Sequence, residues 1–201
     1  MIKLYDHPLS GNCYKVRLLL SQANIEFETE VVDVFKGENK REKYVNINPA
    51  KKIPAINDDG LILWESNAIL MYLCEKYFPI LLPYDLVGRA NAYKWLIYNK
   101  TSVDPYLAKA RAIKQFYPED KQDPDELKIL QKEGISSLKL IDKHLDEKSF
   151  FVDNYSVVDI AFYPYIKLSY QGDIDLDVFP NIIKWITKVE STDNFVYFEE
   201  K

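Results

Sequence analysis

The sequence predicts an α/β domain followed by an all-α domain. Strand and helix patterns alternate over residues 1–78, in the order β-α-β and then β-β-α. Every later periodic pattern is helical. Between the two parts, Pro79 and Pro83 lie in a run that cannot continue a helix. We therefore expect a first domain at 1–78, a linker at 79–88 and a helical domain at 89–201.

The first half of the α/β domain is predicted as β-α-β. Ile2–Tyr5 is a short apolar strand, and Phe27–Val32 carries the β-branched residues of a second strand. Between them, apolar residues recur with the i, i+3, i+4, i+7 spacing of a helix face. They are Val16, Leu19, Leu20 and Ala23. This order implies parallel strands joined by a right-handed crossover.

The second half of the domain is predicted as a hairpin and a helix. Pro54–Ile56 and Leu61–Leu63 flank Asn57–Gly60, whose Asn, Asp and Gly residues favour a turn between two strands. A helix then begins near Ser66. Its apolar face carries Ile69, Tyr72 and Leu73.

The helical domain has one long amphipathic stripe and one clear helix start. Apolar residues or glycine recur in steps of three and four between Leu127 and Leu145. Ser156 fits an N-cap, with Asp159 at the third helical position of a capping box. Tyr155 and Ile160 occupy the positions of a hydrophobic staple. Pro164 falls inside this helix and is expected to kink it.

Composition excludes several classes of partner. The chain has 201 residues and a net charge of −5, which argues against nucleic acid and gives no attraction to anionic membranes. No apolar run reaches the roughly 20 residues of a transmembrane helix, and no signal peptide is indicated. The two cysteines form no CxxC pair, which favours a cytoplasmic location. His7 and His144 are too few for a metal site.

Four motifs in the same order resemble cytosolic glutathione S-transferases. They are Asn48–Ile56, Glu65–Ile69, Ser156–Ala161 with Pro164 downstream, and Phe179–Trp185. A serine-containing loop after the first strand is similar to the serine-type classes, theta and zeta. The resemblance implies a thioredoxin-like N-terminal domain, glutathione as co-substrate without a metal, and a cytoplasmic homodimer. In that dimer the first domain of one subunit would face the helical domain of the other.

Ser10 is the residue to which the resemblance assigns catalysis. The glutathione thiol has a pKa near 8.5–9 and is mostly protonated at neutral pH. A hydroxyl that donates a hydrogen bond to the thiolate lowers this pKa, and the positive end of a helix adds to the effect. Ser10 lies just before a predicted helix start, where it can do both. Without the resemblance, an ordinary helix-entry serine would be the better interpretation.

Two neighbours of Ser10 are alternative participants. Asn12 either offers its amide to the sulfur, or orients Ser10, or is simply the N-cap of the helix. Cys13 is a competing nucleophile, because a cysteine at a helix N-terminus can have a depressed pKa. Its register in the motif favours a buried structural thiol instead. Cys74 is expected in the core as well.

The resemblance also implies a set of glutathione contacts. Ile53 and Pro54 would form a cis-proline turn whose backbone pairs with the cysteinyl part of glutathione. Ser66 would cap its helix and hold the γ-glutamyl carboxylate. Glu65 would pair with the ligand ammonium group. Lys52 would bind the glycyl carboxylate. Lys40 is a second candidate for that contact, although Lys40 is more simply interpreted as an ordinary surface lysine.

The leading hypothesis is a glutathione transferase that attacks a small hydrophobic electrophile in an aromatic-lined pocket between the domains. The first alternative is a glutathione-dependent isomerase or thiol reductase on the same scaffold. The second is a non-catalytic glutathione-binding or interaction protein, since fold does not fix function.

Overall fold

The computed structural model describes residues 1–198 of the chain. These residues form two compact units. The first contains Met1–Ile80 together with the end of the chain from Asp193, and the second contains Leu81–Thr192. The sequence predicted that all residues after 88 belong to the helical domain. The structure differs from this prediction, because the residues from 193 onward belong to the first unit. The last three residues of the predicted domain lie outside the described part.

The first unit is built on a four-stranded mixed sheet with the order β2-β1-β3-β4. The strands are β1 (Ile2–Asp6), β2 (Phe27–Val31), β3 (Ala55–Asp58) and β4 (Leu61–Trp64). β1 pairs in parallel with β2 and antiparallel with β3, and β3 pairs antiparallel with β4. The predicted β-α-β unit and the hairpin are therefore confirmed.

Three helices complete the first unit. They are α1 (Gly11–Gln22), the short α2 (Glu42–Val45) and α3 (Ser66–Tyr77). All four residues that predicted the α1 face lie in or at the end of this helix, and Val16, Leu19 and Leu20 are fully buried. α1 and α3 pack against each other, as the apolar spacing of both helices requires.

The second unit consists of helices and turns only over its described length. The helices are α4 (Leu86–Tyr98), α5 (Asp104–Phe116), α6 (Pro124–His144), α7 (Val157–Lys167) and α8 (Pro180–Glu190), and a π-helical turn at Asn99–Val103 joins α4 to α5. The stripe on α6 buries Leu138 and Ile141, as predicted. No helix of residues 1–198 is both long and apolar enough to cross a membrane.

The predicted capping box opens α7. The Ser156 hydroxyl accepts from the backbone N–H of Val158, and the Asp159 carboxylate accepts from the Ser156 N–H at 2.9 Å. Asp159 is fully buried and also accepts from the Trp185 indole N–H at 2.8 Å, which ties α7 to α8. Pro164 lies inside α7, and the helix continues past it to Lys167.

Candidate active site

The loop between β1 and α1 carries Ser10 to the start of a helix. Ser10 is the N-cap of α1, and its Oγ accepts a hydrogen bond from the backbone N–H of Cys13 at 3.2 Å. Its backbone N–H donates to the His7 carbonyl at 2.9 Å, which closes the loop on itself. The side chain is partly exposed. A hydroxyl at this place lies at the positive end of the α1 dipole and can still meet a ligand.

Cys13 is the third residue of α1 and is fully buried. Burial, reinforced by the negative charge of Asp6, raises the pKa of its thiol far above the usual range. Its hydrogen bond with Ser10 acts in the opposite direction and is outweighed. Cys74 is buried in α3, and burial raises its pKa to about 12. Both thiols are therefore packing residues, as the sequence predicted, and neither has the properties of a nucleophile.

Asn12 and Ser66, which are distant in sequence, are joined by a hydrogen bond between their side chains. The Ser66 hydroxyl donates to Asn12 Oδ1 at 3.0 Å, so the first turns of α1 and α3 are joined. The proposed N-cap role of Asn12 is wrong, because Ser10 occupies that position. Ser66 is likewise not an N-cap. It is the first residue of α3, and the cap position is Glu65, whose φ of 73° lies in the left-handed region and whose side chain makes no capping bond.

The peptide bond between Ile53 and Pro54 is cis, as the motif indicated. Pro54 is buried at the entry to β3, and Ile53 is partly buried against a small core of Tyr5, Val32, Tyr44 and Ala55. Two hydrogen bonds fix the backbone just before Ile53. The carbonyl of Lys52 accepts from the Tyr44 hydroxyl at 2.7 Å and from the Asn48 amide at 2.6 Å.

Lys52 and Lys40 are both exposed, so each is able to reach an anionic ligand. Lys40 ends a short 3₁₀ turn, Glu38–Lys40. The neighbouring Asn39 donates its side-chain amide to the Lys51 carbonyl at 2.7 Å, which ties the segment before Lys40 to the segment before Lys52. The structure therefore links the two stretches that carry the candidate lysines. This link could not be predicted, because no sequence pattern marks a side chain that bonds to a distant carbonyl.

Sequence reasoning also missed the anchor of the Ser10 loop. Arg17 on α1 donates to both carboxylate oxygens of Asp6, with 2.7 Å to Oδ2, and to the Pro8 carbonyl at 3.0 Å. Asp6 is buried at the end of β1. A buried acid at a strand end, followed by an arginine in an otherwise apolar helix run, is the sequence signal that could have found this pair.

The end of the described chain packs on α1. The Tyr14 hydroxyl donates to the Val196 carbonyl at 2.6 Å, and the Ser21 hydroxyl donates to the Asn194 carbonyl at 2.9 Å. The Phe198 ring meets the Tyr14 ring edge-on. Tyr14, Ser21 and Val196, together with Arg17 and Phe27, border a cavity of about 360 Å³ within the first unit. Within residues 1–198, no cluster of His, Cys, Asp and Glu has the arrangement of a metal site.

A mixed four-stranded sheet with a cis-proline before β3, followed by a helical unit, defines the class of glutathione-transferase-like folds. Comparison with known families gives the same answer. Residues 1–75 match the model of the glutathione S-transferase N-terminal domain, and residues 90–193 match that of the C-terminal domain. The chain therefore belongs to the glutathione S-transferase family.

Relatives with different described activities match most of the chain. The disulfide-bond oxidoreductase YfcG of Escherichia coli is 31% identical over 199 residues, covering 95% of this chain and 91% of YfcG. Human glutathione S-transferase theta-1 is 29% identical, covering 99% and 86%. The transcriptional regulator URE2 of Saccharomyces cerevisiae is 24% identical over 90% of this chain, which spans only 63% of URE2.

Solved structures agree with this family. A glutathione S-transferase from Pseudomonas fluorescens has a TM-score of 0.93 and 33% identity, with 99% of both chains covered. A glutathione transferase from Burkholderia graminis has a TM-score of 0.86 and 25% identity, covering 96% of this chain and 85% of that one. Its structure holds two glutathione molecules per subunit.

Proposed function

We propose that this protein is a glutathione transferase in which the Ser10 hydroxyl stabilises the glutathione thiolate. The observation that carries the proposal is the contrast between Ser10 and Cys13. The Ser10 hydroxyl is partly exposed at the N-terminus of α1, whereas the Cys13 thiol is fully buried with a raised pKa. A hydroxyl so placed can donate to a bound sulfur, and the helix dipole favours the negative charge.

The proposed reaction needs only the glutathione sulfur and an acceptor. Glutathione loses its thiol proton to solvent, and the thiolate bound at Ser10 attacks an electrophilic carbon. A carbon–sulfur bond forms while the bond to the leaving group breaks, and the leaving group departs with the electron pair. Stabilising the thiolate raises its concentration at neutral pH. The acceptor we propose is a small hydrophobic electrophile.

The remaining glutathione contacts are proposed from the same arrangement. The start of α3, with Glu65 and Ser66, would receive the γ-glutamyl end, because a helix N-terminus favours a carboxylate. The cis-proline turn at Ile53 would receive the cysteinyl backbone, and Lys52 the glycyl carboxylate, with Lys40 as a weaker contributor. Asn12 would act together with Ser66, to which it is hydrogen-bonded.

A second candidate function is glutathione-dependent disulfide reduction. Its support is the 31% identity to a relative described as a disulfide-bond oxidoreductase. Both cysteines of this chain are buried. The thiolates for such a reaction would therefore come from glutathione. One attacks the substrate disulfide, which gives a mixed disulfide and releases one substrate thiol, and a second attacks the glutathione sulfur of the mixed disulfide, which gives glutathione disulfide and releases the other substrate thiol.

We also propose a homodimer. On α4, the side chains of Leu86, Tyr93 and Ile97 recur at i, i+7 and i+11 and are all exposed, which leaves an apolar stripe on this helix. A stripe of this kind is typical of a surface that a partner covers. Light scattering of the purified protein tests the proposal, and a monomer at micromolar concentration would contradict it.

An activity comparison separates the two functions. Purified protein is assayed with glutathione against an aryl halide, and separately against a small organic disulfide with a reductase that recycles glutathione disulfide. We expect aryl transfer in the first assay that Ser10→Ala diminishes and Cys13→Ala leaves intact. Disulfide reduction without aryl transfer would favour the second function. Absence of both activities, with glutathione still bound, would favour a non-catalytic protein.

A further inference from the structure

Arg17 connects the body of α1 to the loop that precedes the helix. Its guanidinium donates from Nη1 to both oxygens of Asp6, the last residue of β1, and from Nη2 to the carbonyl of Pro8 at 3.0 Å. Only residues 7–10 separate β1 from α1, and Ser10 is the last of them. One side chain therefore binds both the start and the middle of the loop that ends at Ser10.

The loop also has backbone bonds at both ends, and in its middle the Leu9 N–H donates to Nδ1 of His7 at 3.3 Å. The Asp6 carbonyl accepts from the Val32 backbone N–H at 2.8 Å, which fixes the strand end. The Ser10 N–H donates to the His7 carbonyl at 2.9 Å, which fixes the helix end. Pro8 has no N–H to donate, and its ring is exposed. The carbonyl of Pro8, in the middle of the loop, accepts from Nη2 of Arg17 at 3.0 Å.

The Asp6–Arg17 ion pair is largely buried, so removing one partner is expected to disturb the structure around the other. The Asp6 side chain is 5% exposed and that of Arg17 is 21% exposed. Val196, Tyr197 and Phe27 border the same cavity as the pair. Removing one partner of a buried ion pair leaves an uncompensated charge, which the structure relieves by moving the charged group toward water. For Asp6 that movement would displace the strand end from which the Ser10 loop departs.

We propose that Arg17 is a positioning residue for the Ser10 hydroxyl: by binding the Asp6 carboxylate and the Pro8 carbonyl, it fixes the loop that aims this hydroxyl at the glutathione sulfur. The proposal rests on the proposed function, since it needs Ser10 to be the group that stabilises the thiolate. A hydrogen bond weakens steeply with misalignment. A loosened loop therefore diminishes thiolate stabilisation even though Arg17 itself touches no reacting atom.

The test is a titration of the bound glutathione thiol, followed by the ultraviolet absorbance of the thiolate against pH. The variants are Arg17→Met, Arg17→Lys and Ser10→Ala. Lys43→Met is the matched control, because Lys43 also forms an ion pair with an acid of this unit, Glu30, at 2.7 Å. Arg17→Met is expected to raise the thiol pKa by about half a unit or more, and by less than Ser10→Ala does. Arg17→Lys is expected to shift it less than Arg17→Met, because lysine can bind Asp6 but not both acceptors at once.

The outcomes distinguish this inference from the proposed function. A wild-type thiol pKa equal to that of free glutathione, or an unchanged pKa in Ser10→Ala, overturns the proposed function and this inference with it. If Ser10→Ala raises the pKa while Arg17→Met lowers only the melting temperature, Arg17 is merely structural and the inference alone is overturned. If Arg17→Met does not fold, Arg17→Lys decides: a raised pKa supports the inference, and a wild-type pKa overturns it. A shift in Lys43→Met as large as that in Arg17→Met also overturns it.

Discussion

The hydroxyl of Ser66 donates a hydrogen bond to Oδ1 of Asn12, at 3.0 Å, across 54 residues of sequence. The two residues open α3 and α1 respectively, so the bond holds two helix N-termini together. Because Oδ1 faces Ser66, the amide nitrogen of Asn12 is directed away from it. Two residues that the motif assigned to separate parts of glutathione therefore form one unit.

This pairing predicts non-additive effects on glutathione binding. Ser66→Ala and Asn12→Ala should each weaken binding by up to about tenfold, the equivalent of one hydrogen bond. The double variant should lose less than the sum of the two free energies, because each single change already breaks the shared bond. Calorimetry on the four proteins measures this. Lys40→Ala should weaken binding less than Ser66→Ala, and strict additivity would show that the bond has no role in binding.

The cysteines should be unreactive in the folded protein. Burial raises the pKa of Cys13 well above its usual range and that of Cys74 to about 12, so neither forms a thiolate near neutral pH. A thiol reagent such as dithiobisnitrobenzoate should modify both only after unfolding. Cys13→Ala should keep glutathione turnover within about twofold of wild type. Rapid labelling of Cys13 in the native protein would contradict its assignment as a packing residue.

The Asp159 network should contribute strongly to the stability of the helical unit. Its buried carboxylate accepts from Trp185, from the Phe151 N–H at 3.2 Å, and from both the N–H and the hydroxyl of Ser156. Asp159→Ala leaves these buried donors without an acceptor, so we expect a loss of about 3 kcal/mol or more. Urea denaturation gives the free energy of unfolding. Asp153→Ala, at an exposed position, is the control and should change it by less than about 0.5 kcal/mol.

Asp58 should make the first unit sensitive to acid. Burial opposes ionisation of this carboxyl, but hydrogen bonds from Lys76, Tyr72 and Tyr77 outweigh it and hold the pKa of Asp58 below its ordinary value of 3.8. An acid whose pKa is lower in the folded state stabilises the fold above its unfolded pKa and loses that contribution as pH falls through the folded value.

The Asp58 account is tested by the melting temperature measured between about pH 6 and pH 2. Asp58→Asn should melt lower than wild type above about pH 4, and the difference should narrow toward pH 2. The neighbouring Asp59→Asn, which removes only an exposed pair with the N-terminal amine, should melt as wild type does. A constant difference between wild type and Asp58→Asn at every pH would contradict the ionic role of Asp58.

Local patterns predicted most of the fold because each depends on neighbours in sequence. The spacing of Val16, Leu19 and Leu20 identified α1, and turn residues at 57–60 identified the hairpin. The capping box at Ser156 was also predicted, since its two partners are three residues apart. Family resemblance supplied the cis bond before Pro54, which no periodicity indicates.

Contacts between distant residues could not be predicted in this way. The Ser66–Asn12 bond, the Arg17–Asp6 pair and the packing of the chain end on Tyr14 all join segments brought together by tertiary structure. The cap of α3 was misassigned for a related reason. Ser66 has a cap-like side chain, but the backbone at Glu65 takes the cap position with φ of 73°, and the Ser66 hydroxyl turns to Asn12 instead.

The most direct test of the account is the pKa of glutathione bound to wild type and to Ser10→Ala. A hydrogen bond to an ionised group contributes about 1.5–3 kcal/mol, and one pKa unit corresponds to about 1.36 kcal/mol. We therefore predict that Ser10→Ala raises the bound thiol pKa by roughly one to two units while leaving most of the glutathione affinity and the fold intact. An unchanged thiol pKa in Ser10→Ala, together with loss of activity in Cys13→Ala, would contradict the account and identify a cysteine-type thiol transferase.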